Sequence, residues 1–172
     1  MELFSALHAD WKANRNNTKG KLLVTCFRLA HFFASRPTLL RLPGLPWLVF
    51  YKLIIQWVLG FEVSEHAHIG PGLVIYHGQG LVVGGDVRIG SSCVLRHQTT
   101  LGNAREGGGS PVIGDRVKIG AHVCILGEIT IGDGARIGAG SVVVKSVPCG
   151  ALAVGNPAHT VRQSRLFELS EA

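Results

Sequence analysis

An aliphatic residue recurs every six positions from Val63 onward. The first run is Val63, Ile69, Ile75 and the second is Val83, Ile89, Leu95, Leu101. The third is Ile113, Ile119, Ile125, Ile131, Ile137, Val143. Gly follows directly at positions 70, 84, 90, 102, 114, 120, 132 and 138. A period of six fits neither the 3.6 of a helix nor the 2 of a plain strand. It fits a solenoid in which each side of a three-sided coil is one short strand and a corner. The aliphatic residue points into a narrow core, and the Gly permits a bend that a side chain would resist. Three sides make a coil of about 18 residues, and coils stack about 4.8 Å apart. Leu101 and Ile113 are twelve positions apart, so 83 to 143 share one phase, while Ile75 and Val83 are eight apart. The pattern predicts two residues inserted near Leu81-Val82 and one hexapeptide replaced by a loop at 103–112.

Composition divides the chain at the same place. Of 23 Gly, 21 lie between Gly60 and Gly155. Residues 1–59 carry eight Lys or Arg against two acids, a net +6, whereas 60–172 carry nine of each. With 47% hydrophobic residues and 16% charged, the chain is too apolar and too regular to be disordered. The expected organisation is a helical cap over 1–59, a β-helical body over 60–158 and a tail over 159–172. Helical spacing in the cap covers Leu3–Asn14, Lys21–Ser35 and Pro46–Leu59, with Leu22, Leu23, Cys26, Leu29, Ala30 and Phe33 on one apolar face. A short helix over Arg165–Leu169 is expected in the tail. Met1–Lys12 shows no secretory pattern, and Gly44–Gly60, interrupted by Pro46, Lys52 and Gln56, is too short to span a bilayer. A cytoplasmic protein is expected. Cys26, Cys93, Cys124 and Cys149 show no metal-binding spacing and read as reduced thiols. No aromatic-interleaved basic patch in the body points to nucleic acid.

With the hexapeptides laid out, about Asp10 to Arg162 resembles the left-handed parallel β-helix acyltransferases. Within them it is most similar to the serine acetyltransferase group, including relatives that acetylate bacterial exopolysaccharides. The segments that carry the resemblance are Glu62-Val63, Tyr76-His77-Gly78, Gly80-Leu-Val-Val-Gly84 and Thr100-Leu-Gly102. Ile137-Gly-Ala-Gly-Ser-Val142, Val154-Gly-Asn-Pro-Ala158, Asp10-x-x-Ala13-x-Arg15 and Arg28-Leu-Ala-His31 also match. The implied fold is mainly β, a left-handed parallel β-helix with a short N-terminal helical cap.

The resemblance places the family's catalytic base on His77. The residue pattern agrees: Ile75 points inward, so His77 stands at an outward corner, where a neutral imidazole can take a proton from an attacking alcohol. The family's orienting carboxylate, fifteen positions earlier, falls on Glu62, where the family usually has Asp. His97, also two residues past its inward aliphatic, should stack one coil from His77. It is a candidate for acceptor contact or support of His77, beside the plainer reading of a structural corner. The backbone N–H groups of Gly102 and Asn103 are candidates to stabilise the thioester oxyanion. His8, His66, His68, His122 and His159 lack positional support and read as surface or capping residues; His31 reads as packing.

The resemblance implies acetyl-CoA in a groove between two subunits of a homotrimer, along Gly120, Ala121, Gly138, Ala139 and Lys145 to Pro157, with Lys145 and Arg162 near phosphates. Each Gly is equally explicable as a repeat corner. Serine acetyltransferases carry Asp immediately before the catalytic His and Arg-His before the Pro of the long loop. Here those places hold Tyr76 and Gly109-Ser110. Asp10 matches an acceptor-binding Asp, or else is a plain surface acid. These substitutions disfavour an amino acid and favour a sugar hydroxyl, with Tyr76 stacking on the ring and Ser110 hydrogen-bonding.

The expected activity is therefore O-acetylation of a sugar or exopolysaccharide precursor, with no metal. The alternatives are a serine O-acetyltransferase, a non-enzymatic scaffold trimer, and a His-ligated zinc site at subunit edges. For the dense apolar segment Trp47–Val58 near Arg36, Arg41 and Lys52, two readings stand. One is packing onto the open end of the solenoid; the other is peripheral contact with a membrane at its cytoplasmic face.

Overall fold

All thirteen periodic aliphatics are buried, none more than 6% exposed, in the computed structural model, which describes residues 3–161. They line a left-handed parallel β-helix with three faces. The first face is β1 (Phe61–Val63), β4 (Leu81–Val83), β7 (Thr100–Gly102), β10 (Cys124–Leu126) and β13 (Val142–Val143). The second is β2 (His68–Ile69), β5 (Arg88–Ile89), β8 (Val112–Ile113) and β11 (Thr130–Ile131). The third is β3 (Val74–Tyr76), β6 (Val94–Arg96), β9 (Lys118–Ile119) and β12 (Arg136–Ile137). It is extended by β14 (Leu152–Gly155), from which β15 (Ala158–Val161) folds back antiparallel. Registers stack like on like: Val63 on Val83, Val83 on Leu101, Leu101 on Ile125, Ile125 on Val143.

The registers relocate both irregularities. Val83 stacks on Leu101 and Ile89 on Ile113, so Leu101 to Ile113 turns a single corner. The 103–112 loop is an addition to that corner, and no side of a coil is lost. Ile75 stacks on Leu95, which puts the two extra residues in the corner His77–Gly80, ahead of Leu81. That corner holds the candidate base.

Along the strands each coil donates its N–H groups to the next: Ser64 to Val83 O, His68 to Val87 O, Gly70 to Ile89 O, Val74 to Cys93 O. The carbonyls of Val63, Glu65, Ile69, Gly70, Leu73 and Ile75 in the first coil face the cap instead, and leaving each buried without a donor would cost about 1–3 kcal/mol. Cap side chains supply the donors. Tyr51 Oη and Gln56 Nε2 reach Val63 O at 2.7 and 3.0 Å, and His31 Nδ1–H reaches Glu65 O at 2.9 Å. Arg28 reaches Ile69 O and Gly70 O, both at 2.6 Å. Asn14 and Asn17 reach Leu73 O and Ile75 O, both at 2.7 Å. The cap thus acts as an additional rung, made of side chains, on the edge of three sheets.

The cap is α1 (Leu3–Ala13), α2 (Thr18–Ala34), a short α3 (Thr38–Arg41), a tight turn at Leu42–Gly44, and α4 (Leu45–Phe50). Helix α4 continues in wider π-type turns through Tyr51–Val58, where Leu59 N–H reaches Ile54 O. Helix α2 begins before Lys21 because Asn17 caps it, accepting from Gly20 N–H. Its buried face differs by a small rotation from the one read off the spacing. Leu23, Cys26 and Ala30 are buried, but Leu22 is exposed and Val24 and Phe27 take its place, because Arg28 must point at the first coil. Among the described residues, no helix is long and apolar enough to cross a membrane. The expected Arg165–Leu169 helix lies outside the described residues.

Candidate active site

His77 follows β3 with φ +71°, a left-handed conformation that costs a non-glycine residue strain. Gly78 continues the bend at φ +71°, and its N–H returns to Tyr76 O at 3.0 Å. A side chain at 78 would run into Leu23 of α2, so the helix seats directly on this corner. The cap thereby braces the candidate base.

The His97 ring stands edge-on to His77, with centroids 5.6 Å apart, and His122 stands edge-on to His97 at 5.2 Å. The one-coil spacing of His77 and His97 was legible in the sequence. His122 was not: it is exposed, as expected of a surface residue, but it also lies on this edge. It lies three residues past its inward aliphatic rather than two, yet its N–H bonds His97 O and brings it onto the same edge. His97 Nδ1 is buried without a hydrogen-bond partner beside His77. Above the histidines, Gly140 N–H bonds Ala121 O, so Ala121 and Ala139 continue the edge with small side chains. Gly120 and Gly138 serve coil contact: a Cβ at 120 would sit 2.6 Å from Ala139 N, and at 138, 2.6 Å from Val154 Cγ1. Lys145 is exposed after β13, and Pro157 is exposed in the turn between β14 and β15. Arg162 lies outside the described residues.

Tyr76 is 39% exposed, and the guanidinium of Arg96 lies over its ring, 5.1 Å from the centroid. Arg96 escaped the sequence reading, although it sits twenty positions after Tyr76, the same separation that links the two histidines.

Glu62 points outward on β1 and lines a cleft of about 350 Å³ with Lys52, Gln56 and Glu65. No hydrogen bond joins it to His77 among the described residues, so the expected carboxylate–imidazole pair is not formed within one chain. Asp10 is corrected more fully. It is completely buried: its carboxylate accepts from Arg28 Nε at 2.7 Å and from the N–H groups of Gly72 and Leu73 at 2.8 and 2.9 Å. It is neither a surface acid nor free to hold an acceptor; it docks α1 and α2 onto the first coil.

Gly102, Asn103 and Ser110 occupy a different corner. They flank the inserted loop between the first and second faces, where the Ser110 hydroxyl donates to Asn103 Oδ1 and closes the loop's base. Space around Gly102 is open. His77 lies at the corner between the third and first faces, so one chain does not bring the two groups together. A cavity of about 950 Å³ is elsewhere again, between the cap and the second face, lined by residues such as Arg28, His31, Arg88 and Ile89. There burial holds the His31 imidazole below its usual range, against the opposing pull of Glu65 O. For Glu65, burial raises the carboxyl, but its own backbone N–H and the Lys52 ammonium, 3.0 Å away, outweigh it and leave the group below the usual range. No group of three or more His, Cys, Asp or Glu able to hold a metal ion occurs among the described residues.

Residues 110–145 match the family described as bacterial transferase hexapeptide (six repeats). The chain is 38% identical over 153 residues to WcaB of Escherichia coli (strain K12), named as a colanic acid biosynthesis acetyltransferase, covering 87% of this chain and 94% of that protein. It is 37% identical over 144 residues to a serine acetyltransferase of Helicobacter pylori, covering 83% of this chain and 81% of the relative. Among solved structures, soybean serine acetyltransferase superposes with TM-score 0.79 at 38% identity, over 92% of this chain and 69% of that one. Serine acetyltransferase of Brucella abortus in complex with coenzyme A gives TM-score 0.79 at 28% identity, over 94% and 68%.

Proposed function

The chain belongs to the hexapeptide-repeat acyltransferases, in their serine acetyltransferase-like group, and from that premise we propose that it carries acetyl from acetyl-CoA to a hydroxyl of a sugar or polysaccharide precursor. His77 is the general base. It takes the hydroxyl proton as the oxygen attacks the thioester carbonyl, and returns it to the departing CoA thiolate, so no acetyl-enzyme forms. The observation that carries the reading is the position of His77. It is strained, braced by α2, backed by His97, and on the same edge as the small residues Ala121 and Ala139. That small-residue edge, with Gly120, Gly138, Lys145 and Pro157, is the proposed track for CoA.

The separate corners of His77 and of Gly102, Asn103 and Ser110 are the reason to place the site between copies of a trimer. There the loop corner of one chain faces the histidine edge of another. Glu62, exposed on β1 and two residues past Gly60, which accepts from Gly80 N–H, is proposed to orient His77 in that assembled site. Likeness does not choose the acceptor, since the relatives named for colanic acid and for serine are 38% and 37% identical. The residues favour the sugar: Tyr76 and Ser110 stand where charged groups would grip an amino acid, and the Asp10 carboxylate is spent on Arg28 and two backbone N–H groups.

The test is CoA release by the intact enzyme with sugar nucleotides or oligosaccharide repeats against L-serine. His77→Asn, which suits a left-handed corner, should lower turnover about a thousandfold with assembly and CoA binding kept. Near-normal activity would remove His77 from the mechanism. A preference for L-serine would establish the second reading, a serine O-acetyltransferase with a rebuilt pocket, which the 37% identity to such an enzyme supports.

A further inference from the structure

A surface helix that packs one stripe on a protein carries polar residues on its opposite face. The segment from Leu45 to Val58 does not. Its packing stripe is Leu48, Tyr51 and Ile55, all buried against the rest of the protein. The opposite face repeats every four residues as Leu45, Val49, Leu53 and Trp57, filled in by Phe50 and Ile54. All six are exposed, from 40% at Ile54 to 77% at Trp57. Helix α2 differs in the same molecule: of its exposed positions Thr18, Lys19 and Leu22, one is a large apolar residue. Packing onto the solenoid therefore explains the stripe and leaves the opposite face unaccounted for.

Charge identifies the occupant. Residues 36–59 contain Arg36, Arg41 and Lys52 and no Asp or Glu. They belong to a cap of net +6 on a body of net zero. Lys52 already faces the Glu65 carboxylate at 3.0 Å, but a two-fold contact with a second copy would bring Arg36 and Arg41 toward their counterparts with no acid in the segment to pair them. An anionic bilayer surface offers both an apolar layer for Leu53 and Trp57 and a layer of negative headgroups for the cations. The fourteen residues of Leu45–Val58 are too few for a helix that spans a bilayer, which needs about 20, and fit lying on a surface. We propose that the exposed face of Leu45–Val58 binds an anionic phospholipid surface, orienting the molecule cap-first on the bilayer. This does not rest on the reaction proposed above.

Co-sedimentation of the full chain with vesicles tests it. Binding to phosphatidylcholine mixed with phosphatidylglycerol should exceed binding to phosphatidylcholine alone by roughly tenfold and weaken as salt rises. Val49→Glu combined with Trp57→Glu should lower it to the phosphatidylcholine level, with circular dichroism and sedimentation mass unchanged. Should that pair misfold, Trp57→Phe keeps the bulk and should abolish most of the blue shift in tryptophan emission on adding anionic vesicles. The proposal is overturned by binding no greater on anionic vesicles than on neutral ones, or by an emission shift that survives Trp57→Phe. It is overturned equally if the Glu pair shrinks the assembly without lipid, which would assign the face to contact between copies.

Discussion

At the scale of single residues, the cap resolves into donors and one buried carboxylate. Asp10 and Arg28 form an ion pair with almost no exposure. Removing one partner leaves the other buried and uncompensated, so Asp10→Asn should lower unfolding free energy by about 3–5 kcal/mol in denaturant titration. If Asp10 held the acceptor instead, stability would stay and the acceptor KM would rise. His31 makes a pH prediction. Its folded-state pKa lies below the ordinary value because of burial, so the unfolded chain takes up the proton first. Its contribution is complete above about pH 6.5 and is lost as pH falls through that range. Tm should drop across that window, and His31→Gln should flatten this part of the profile. Glu65, also lowered, adds a loss at more acidic pH.

At the scale of elements, the corners separate into those that need glycine for packing and those that do not. Gly120 faces Ala139 N so closely that Gly120→Ala must push coils apart, at a cost of about 1–3 kcal/mol. Gly102 has open space and no positive φ, so Gly102→Ala should change stability by less than about 0.5 kcal/mol. Any loss of rate in that variant then reports on the reaction alone. The histidine edge shows what periodicity reveals at this scale. His77 and His97 share a phase and were found by spacing; His122 is displaced by one residue and was not. A corner residue's column is set by which carbonyl its N–H reaches, here His97 O, and that bond is not written in the six-residue pattern.

At the scale of the whole molecule, cap and body are one structure. Six carbonyls of the first coil depend on cap side chains. A chain reduced to residues 60–172 should therefore lack a cooperative thermal transition; a sharp transition would show that the first coil caps itself. The proposed site between copies has its own measurement. Mixed trimers of His77→Asn chains and chains with a shortened 103–112 loop should regain activity that neither has alone, because some interfaces then receive an intact histidine edge and an intact loop. No recovery would place the whole site within one chain.

The sequence determined the β-helix by itself, because a six-residue period has one economical solution and every inward aliphatic that it names is buried. It also determined that the cap is helical and that His77 stands at a corner. Only the tertiary structure decided that Asp10 is a docking residue, that Glu62 stands apart from His77, that Arg96 covers Tyr76, and that the loop is an addition to a corner. The physical reason is range. Periodicity reports which side chains leave water, a local property repeated at fixed intervals. Which polar group meets which is set by how cap and coils dock, through contacts such as Asp10 to Gly72 between residues 62 positions apart.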